Sequence, residues 1–382
     1  VRLLRSGLSR KDVQNHSVEL AEVLFRNIPS GVGSRRKDLK LSQKELKRVL
    51  AVGVEWTLKQ GYGTAEDQAH IEANGCIPNA DPDKVSDRAF ERGRAQLGTL
   101  GSGNHFLEVG FVEEVYDSEA ASVMGLEKDQ ATVLIHTGSR GLGHQVCDDY
   151  LSVMLSASRR YGIDLPDRQL CCAPVDSKEG KDYLGAMAGA ANFAFVNRQM
   201  IMHWTRETFG QVFQRRLEDL QLELVYDVCH NIAKMETHEV EGKEIELCVH
   251  RKGATRAFPP GHPDIPEKYR PIGQPVLVPG DMGRYSFVLV GTEAGYRETF
   301  GSACHGAGRI LSRHQAKKAA KGRAVVRELE DRGIIVRGAS IRTLVEEISD
   351  AYKDVDNVVN VLHHAGISKK VVKLSPLVVI KG

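Results

Sequence analysis

Apolar and polar positions along the chain fall into two rhythms, one helical and one extended. Ser42-Gln43-Lys44-Glu45 has the S-x-x-E form in which the serine and glutamate side chains cap each other's backbone N–H groups. Leu46, Val49, Leu50 and Val52 follow at helical spacing, so the pattern predicts an amphipathic helix. A shorter helix is expected over 17–25, ending near Pro29, with a turn-rich loop at 31–34. Residues 84–94 are rich in basic groups and read as a solvated helix. A glycine-rich loop, 97–103, leads into 104–109, and 131–136 reads as an apolar strand running into the turn 137–141. A long helical region is predicted over 182–214. Further strands are expected at 222–228, 244–250, 275–278 and 286–291, helices at 309–328 and 342–350, and a closing strand at 371–380. Strands and helices alternate unevenly, without a βαβ rhythm. That predicts an α+β fold with mixed sheets and surrounding helices. No internal repeat or low-complexity linker divides residues 1–382, so a single domain is expected.

Charge narrows the picture. The 382 residues carry 52 Lys and Arg against 50 Asp and Glu, a net charge of +2. Any nucleic-acid contact must therefore come from a local basic groove and not from overall charge. No run of 18 apolar residues is present, so a membrane span is not expected. The first residues, Val1-Arg2-Leu3-Leu4-Arg5, lack the apolar stretch of a signal peptide. Seven cysteines, odd in number, irregularly spaced and without a CxxC pair, fit a reduced cytoplasmic or nuclear interior better than a disulfide framework.

Three histidines share one context. His105 follows the glycine-rich loop, while His136 and His230 each end an expected strand. Neutral imidazole is the commonest protein ligand for divalent metals. Histidines at strand ends can converge on one cleft, although each alone reads more simply as a hydrogen-bonded core or surface residue. A fourth, His305, precedes Gly306-Ala307-Gly308 and what reads as a helix start, where backbone could approach a phosphate and free N–H groups favour anions. There it could serve as a nucleophile toward phosphorus. Arg140, Arg251, Arg256 and Arg313 (with Arg309) could grip RNA phosphates, against the plainer reading of solvated loops. Two tempting matches are set aside. Gly138-Ser139-Arg140-Gly141-Leu142-Gly143 lacks G-x-G-x-x-G spacing. His363 and His364 are adjacent, and neighbouring side chains on a helix diverge.

Six strings in order carry a resemblance: Gly101-Ser102-Gly103-Asn104-His105, His136 to His144, Asp227-Val228-Cys229-His230-Asn231, His250 to Arg256, Cys304 to Arg309, and the terminal Ile380-Lys381-Gly382. Together they resemble the RtcB family of RNA-splicing ligases over essentially the whole chain. The resemblance implies an enzyme with two Mn²⁺ ions and GTP as co-substrate, and a metal and nucleotide cleft at the centre of the fold. Such an enzyme joins RNA 2′,3′-cyclic phosphate or 3′-phosphate ends, such as tRNA halves, to 5′-hydroxyl ends. It implies His105, His136 and His230 as metal ligands and His305 as the residue that takes GMP. Guanylate contacts would come from Asn104, His105, Phe106, Leu107, Glu108, His230 and Asn231. Pro279, Gly280, Asp281, Met282, Ser286, His305, Gly306, Ala307 and Gly308 would add to them, with Lys381 aimed at guanine O6 or N7. An archease-type activating partner and a cytoplasmic setting, or a nuclear one in a eukaryotic cell, also follow from the resemblance.

The chain departs from the family in one respect. The family's Asp-x-x-Cys-Gly motif, whose Asp and Cys bind metal, precedes a Val-Arg-Leu segment, and this chain begins at that segment. The expectation is therefore a truncated catalytic domain, weakly active or inactive alone. Two other readings stay open: a histidine–metal phosphoesterase or nuclease, and an RNA-binding subunit without catalysis.

Overall fold

A computed structural model describes residues 1–36 and 38–382. Its strands, in chain order, are β1 (Arg2–Ser9), β2 (Phe106–Val115), β3 (Gln130–His136), β4 (Glu223–Asp227), β5 (Asn231–Val240) and β6 (Lys243–Lys252). There follow β7 (Ala254–Arg256), β8 (Pro275–Val278), β9 (Ser286–Gly291), β10 (Ser302–Cys304), β11 (Ile335–Gly338) and β12 (Ser368–Lys381). The main sheet runs β4-β1-β3-β2-β12-β9-β8 with antiparallel neighbours, and β11 adds to β12 in parallel. The fold is α+β, as the sequence pattern predicts. β12 is long enough to pair β2 along 372–381 on one edge, and β9 (368–374) then β11 (378–381) on the other.

Both faces of this sheet are covered, which is why its strands read as apolar runs and not as clean alternation. Period-two geometry still sorts them. Leu4, Val133, Ile135, Val378 and Ile380 face one core, shared with the helices Arg10–Asn27 and Lys178–Phe213. Leu3, Leu134, Val225, Val288 and Val379 face a second core on the other side. A third core lies among the helices, where Leu46, Val49, Leu50, Phe90, Val146, Phe193 and Met200 meet. Among the described residues no helix is long and apolar enough to cross a membrane.

Several boundaries differ from expectation for local reasons. The first helix spans Arg10–Asn27, because Ser9 and Asp12 form a capping box eight residues before the apolar run. The segment 84–94 holds only the helix Asp87–Gly93, and Ala89 and Phe90 turn inward, so it is not a wholly solvated helix. The helix expected over 309–328 is two short ones, Arg313–Ala319 and Val325–Glu330, parted around Gly322 at φ 84°. In place of a helix over 342–350 there is a single turn, Ile341–Leu344, followed by 3-10 turns.

The 36-residue helix Lys178–Phe213 buries polar side chains that order the sheet ends. Asp227 is fully buried between Arg2 (Nε–Oδ2 2.7 Å) and Arg198 (Nη2–Oδ1 2.7 Å). Burial opposes ionisation of the Asp227 carboxyl, but Arg198 and Arg2 hold its pKa below the usual carboxylate range. Arg198 Nη1 also donates to Thr137 O at 3.0 Å, and Arg2 Nη1 donates to Gln199 Oε1 at 2.5 Å. Asp227→Asn leaves two buried guanidinium groups facing a neutral amide. We expect it to cost about 3–5 kcal/mol of unfolding free energy, measured as a lowered denaturant midpoint at unchanged slope.

Candidate active site

Sheet register delivers the site. Lys381 of β12 pairs Phe106 of β2, which in turn pairs His136, the last residue of β3. His105 immediately precedes β2, and His230 lies three residues beyond the end of β4. His305 follows β10, which pairs β7. Backbone bonds tie the last two loops together: Gly253 N–H donates to His230 O at 3.1 Å, and His305 N–H to Gly253 O at 3.4 Å. Glu72 secures the His230 turn from beneath. It accepts Cys229 N–H at 2.9 Å while paired with Lys234 at 2.8 Å. Burial pushes the Glu72 carboxyl up, but Lys234 and Arg256 outweigh it and hold the pKa down to about 2.

The four imidazoles meet. Ring centroids stand 6.0 Å apart for His105 and His136, 5.0 Å for His136 and His230, and 4.1 Å for the stacked His230 and His305. The ligand atoms of His136, His230 and His305 all lie within 4.8 Å of one another. Nε2 of His136, Nδ1 of His230 and Nδ1 of His305 are buried with no hydrogen-bond partner. Unsatisfied buried nitrogens are rare and costly, and three on rings this close make a donor set that a divalent cation would complete. Burial lowers every one of these pKa values, His105 to about 3 and His305 to about 4, so the rings are neutral lone-pair donors. The residues therefore fit a metal, with one difference from the set implied above. The tight trio includes His305, and His105 lies beside it.

A cleft of about 320 Å³ opens onto His136 and His305. It gathers Asn104, Phe106, Glu108, Pro279, Gly280, Asp281, Met282, Gly306, Ala307, Gly308, Arg313 and Lys381, all anticipated from the sequence. Leu107 points into the core, and Ser286 Oγ instead accepts Gly280 N–H at 3.3 Å, supporting the wall. Asn231 sits outside the cleft, accepting from Lys252 Nζ at 3.1 Å. Arg140 reaches Thr99 Oγ1 at 3.2 Å and His105 Nδ1 at 3.4 Å, stacked where any Cβ on Gly101 would stand 1.8 Å from its Nη1.

Two of the proposed phosphate-gripping residues are corrected. Arg251 is 2% exposed and paired to Glu236 at 2.6 Å. Arg256 is 5% exposed, donates to Gln274 Oε1 at 3.1 Å and lies 3.5 Å from Glu72. Both are structural cations with their charge already answered. The segment after His305 is likewise not a helix start. Loop runs to Ser312, which caps the next helix.

Glu347 and Tyr352 also line the cleft, and the sequence offered no sign of them. Glu347 is buried against Arg309 (3.1 Å), Lys381 (3.7 Å) and the Tyr352 hydroxyl. Glu108 is buried too. Burial, and then the Asp281 charge, raise its pKa to about 8.

The fold and site together define an α+β protein with a cluster of histidines that could hold a metal ion, set beside a cleft. The family model described as tRNA-splicing ligase RtcB matches residues 1–382. The chain belongs to the RtcB family. It is 54% identical over 382 residues to the tRNA-splicing ligase RtcB of Thermococcus kodakarensis, covering all of this chain and 79% of that protein. The Archaeoglobus fulgidus protein of that name is 54% identical, again with 79% of its length covered. The Methanocaldococcus jannaschii protein is 54% identical, and this chain spans 39% of its length.

Equilibrium dialysis against Mn²⁺ or Zn²⁺ tests the donor set. His136→Ala and His230→Ala each remove a nitrogen from the trio. We expect each to weaken metal binding by at least the ~10–100-fold that even outer-shell partners command.

Proposed function

We propose that this chain is the catalytic body of a GTP-dependent RNA ligase that joins 2′,3′-cyclic phosphate or 3′-phosphate ends to 5′-hydroxyl ends through a guanylylated His305. The observation that carries this reading is the neutral, half-buried His305 at the junction of the histidine cluster and the cleft. A neutral imidazole keeps the lone pair a nucleophile needs. Attack on the α-phosphorus of GTP forms a P–N bond and releases pyrophosphate. The RNA 3′-phosphate then attacks the same phosphorus, breaking the P–N bond and leaving GMP on the RNA end. The 5′-hydroxyl attacks the RNA phosphorus and expels GMP, so the phosphodiester forms with a good leaving group in place of an oxide.

His136 and His230 would hold a divalent ion, with His105 placed for a second; borderline ions such as Mn²⁺ suit imidazole donors. When bound, they supply charge neutralisation at phosphate oxygens. Arg140 and Arg313 remain for RNA phosphate, since each borders the cluster or the cleft. tRNA halves as substrate, an archease-type activator and a cytoplasmic setting accompany this reading.

Base selection rests on Glu108 and Lys381. A lysine ammonium donates to guanine O6 or N7, and a carboxylate accepts from N1–H and N2–H. Adenine presents a donor and an acceptor in the reverse places, so the same pair would reject it.

Two measurements test this reading. GTP labelled at the α-phosphate should leave acid-labile label on the wild type and none on His305→Ala. A histidine–metal nuclease would cleave RNA without any label. Binding should also displace the Glu108 proton. Its carboxyl is mostly protonated below about pH 8 when free, and guanine favours the anion. GTP binding should therefore release a proton near pH 7, and affinity should rise with pH up to about 8 and then level. Calorimetry in buffers of different ionisation enthalpy reads this directly, and Glu108→Gln should abolish the release.

A further inference from the structure

We propose that the acid-free segment after His305 forms a track for the RNA backbone, running from the cleft over the free lysine row of the helix Arg313–Ala319 and the turn beyond it. The inference rests on the ligase reading above and extends it outside the cleft. Between Glu298 and Glu328 the chain has no Asp or Glu, yet it carries seven Lys and Arg from Arg309 to Arg327. In a chain of nearly balanced charge this is a strong local excess, and local cation density is what binds a polyanion.

The cations in this segment divide into two groups. Arg309 is spent on Glu347, Lys317 on Glu346 at 2.6 Å, and Arg323 on Glu328 and Asp350, each at 2.7 Å. Lys318 and Lys321 are exposed and have no ion-pair partner among the described residues. Spacings of four and three set His314, Lys318 and Lys321 along one side of the helix and the turn that continues it, where Lys321 N–H donates to Lys318 O at 3.3 Å. These three, with Lys317, line an open depression of about 590 Å³ floored by Ala320 and Val345. Arg313 joins the two places. Its side chain is 61% exposed and only loosely paired, with Nε 3.6 Å from Glu346, it lines the main cleft with His305, and it begins the same helix. A strand whose 3′-phosphate lies at His305 would pass Arg313 and then meet the lysine row. An acidic protein segment is the competing occupant. The continuity with the reacting end favours RNA.

The test uses the full chain and 3′-phosphorylated RNAs of three and twelve nucleotides, with binding read by fluorescence anisotropy across a salt series. The wild type should bind the longer RNA more tightly. Lys318→Glu with Lys321→Glu should weaken the longer RNA about tenfold or more near 0.1 M salt. It should also lower the slope of log K against log salt by about 1.4, two single-strand contacts at about 0.7 each. Affinity for the three-nucleotide RNA and GTP labelling of His305 should not change. Lys318→Gln with Lys321→Gln should lower the slope with a smaller loss of affinity. Unchanged affinity and slope for the longer RNA in both double variants, with His305 still labelled, would overturn the track. If the wild type took no label but the slope fell as stated, the ligase reading would fail while the track stood.

Discussion

The histidine cluster depends on one buried carboxylate. Asp227 stands at the end of β4 with Arg2 on one side and Arg198 on the other, all three excluded from solvent. Buried ion pairs add little net stability compared with apolar packing of the same volume. What this one adds is position. Arg198 also donates to the carbonyl of Thr137, the residue after His136. Asp227 lies three residues before His230, so a rigid guanidinium fork spans the two loops that carry these histidines. Arg2 extends the same network through Gln199 to Asp67, which Arg206 grips at 2.8 Å through both oxygens. The long helix therefore acts as a polar spine beneath the site. Neighbouring Asn197 holds Thr99 and Gly138, clamping the glycine-rich loop and the turn after β3 to the same helix.

Above that spine the cleft gathers charge of both signs, with Arg284 3.6 Å from Asp281. Glu108, Asp281 and Glu347 are buried around a single lysine, Lys381, with Arg309 held against Glu347. Burial, and then the nearby Asp281 carboxylate, raise the Glu108 pKa to about 8, while burial lowers that of Lys381. Such a set answers a ligand that brings both donors and acceptors on one planar edge. It would tolerate a simple anion poorly. The phosphate side is different: Gly306 and Gly308 border the cleft, and a Cβ on Gly308 would meet nothing within 4 Å.

Much of this was legible in the sequence because it sits in short strings that end or begin strands. His105, His136 and Lys381 were found by their neighbours, and register alone then brings them together. The sequence could not show which arginines were free. Arg251 and Arg256 look like surface cations until β5 folds Glu236 onto one of them and the turn before Cys76 brings Glu72 to the other. Glu72 itself was invisible, since it precedes a turn with Ala73 and Asn74 at positive φ that no local motif announces. Glu347 lies in a stretch expected to be regular helix, and Tyr352 just beyond it. β1 escaped notice because Arg2 and Arg5 interrupt its apolar rhythm, and Arg2 is buried only because Asp227 awaits it across the sheet.

His305 shows how burial and freedom can come from one arrangement. Its ring stacks on His230 and is shielded enough to lower its pKa to about 4, so the lone pair is available at any physiological pH. Its backbone N–H donates to Gly253, itself at φ 70°, and the chain beyond it stays irregular until Ser312 caps the next helix. In the proposed ligase, a residue that accepts a nucleotidyl group from one ligand and surrenders it to another could not be locked on both sides. Here the side toward the sheet is fixed by the loops that carry the histidine cluster, and the side toward the cleft is left to loop. On the proposed reading, the transferred group would swing between the wall of β2 and β12 that holds Glu108 and Lys381 and the basic segment that begins at Arg309, with the imidazole as the pivot.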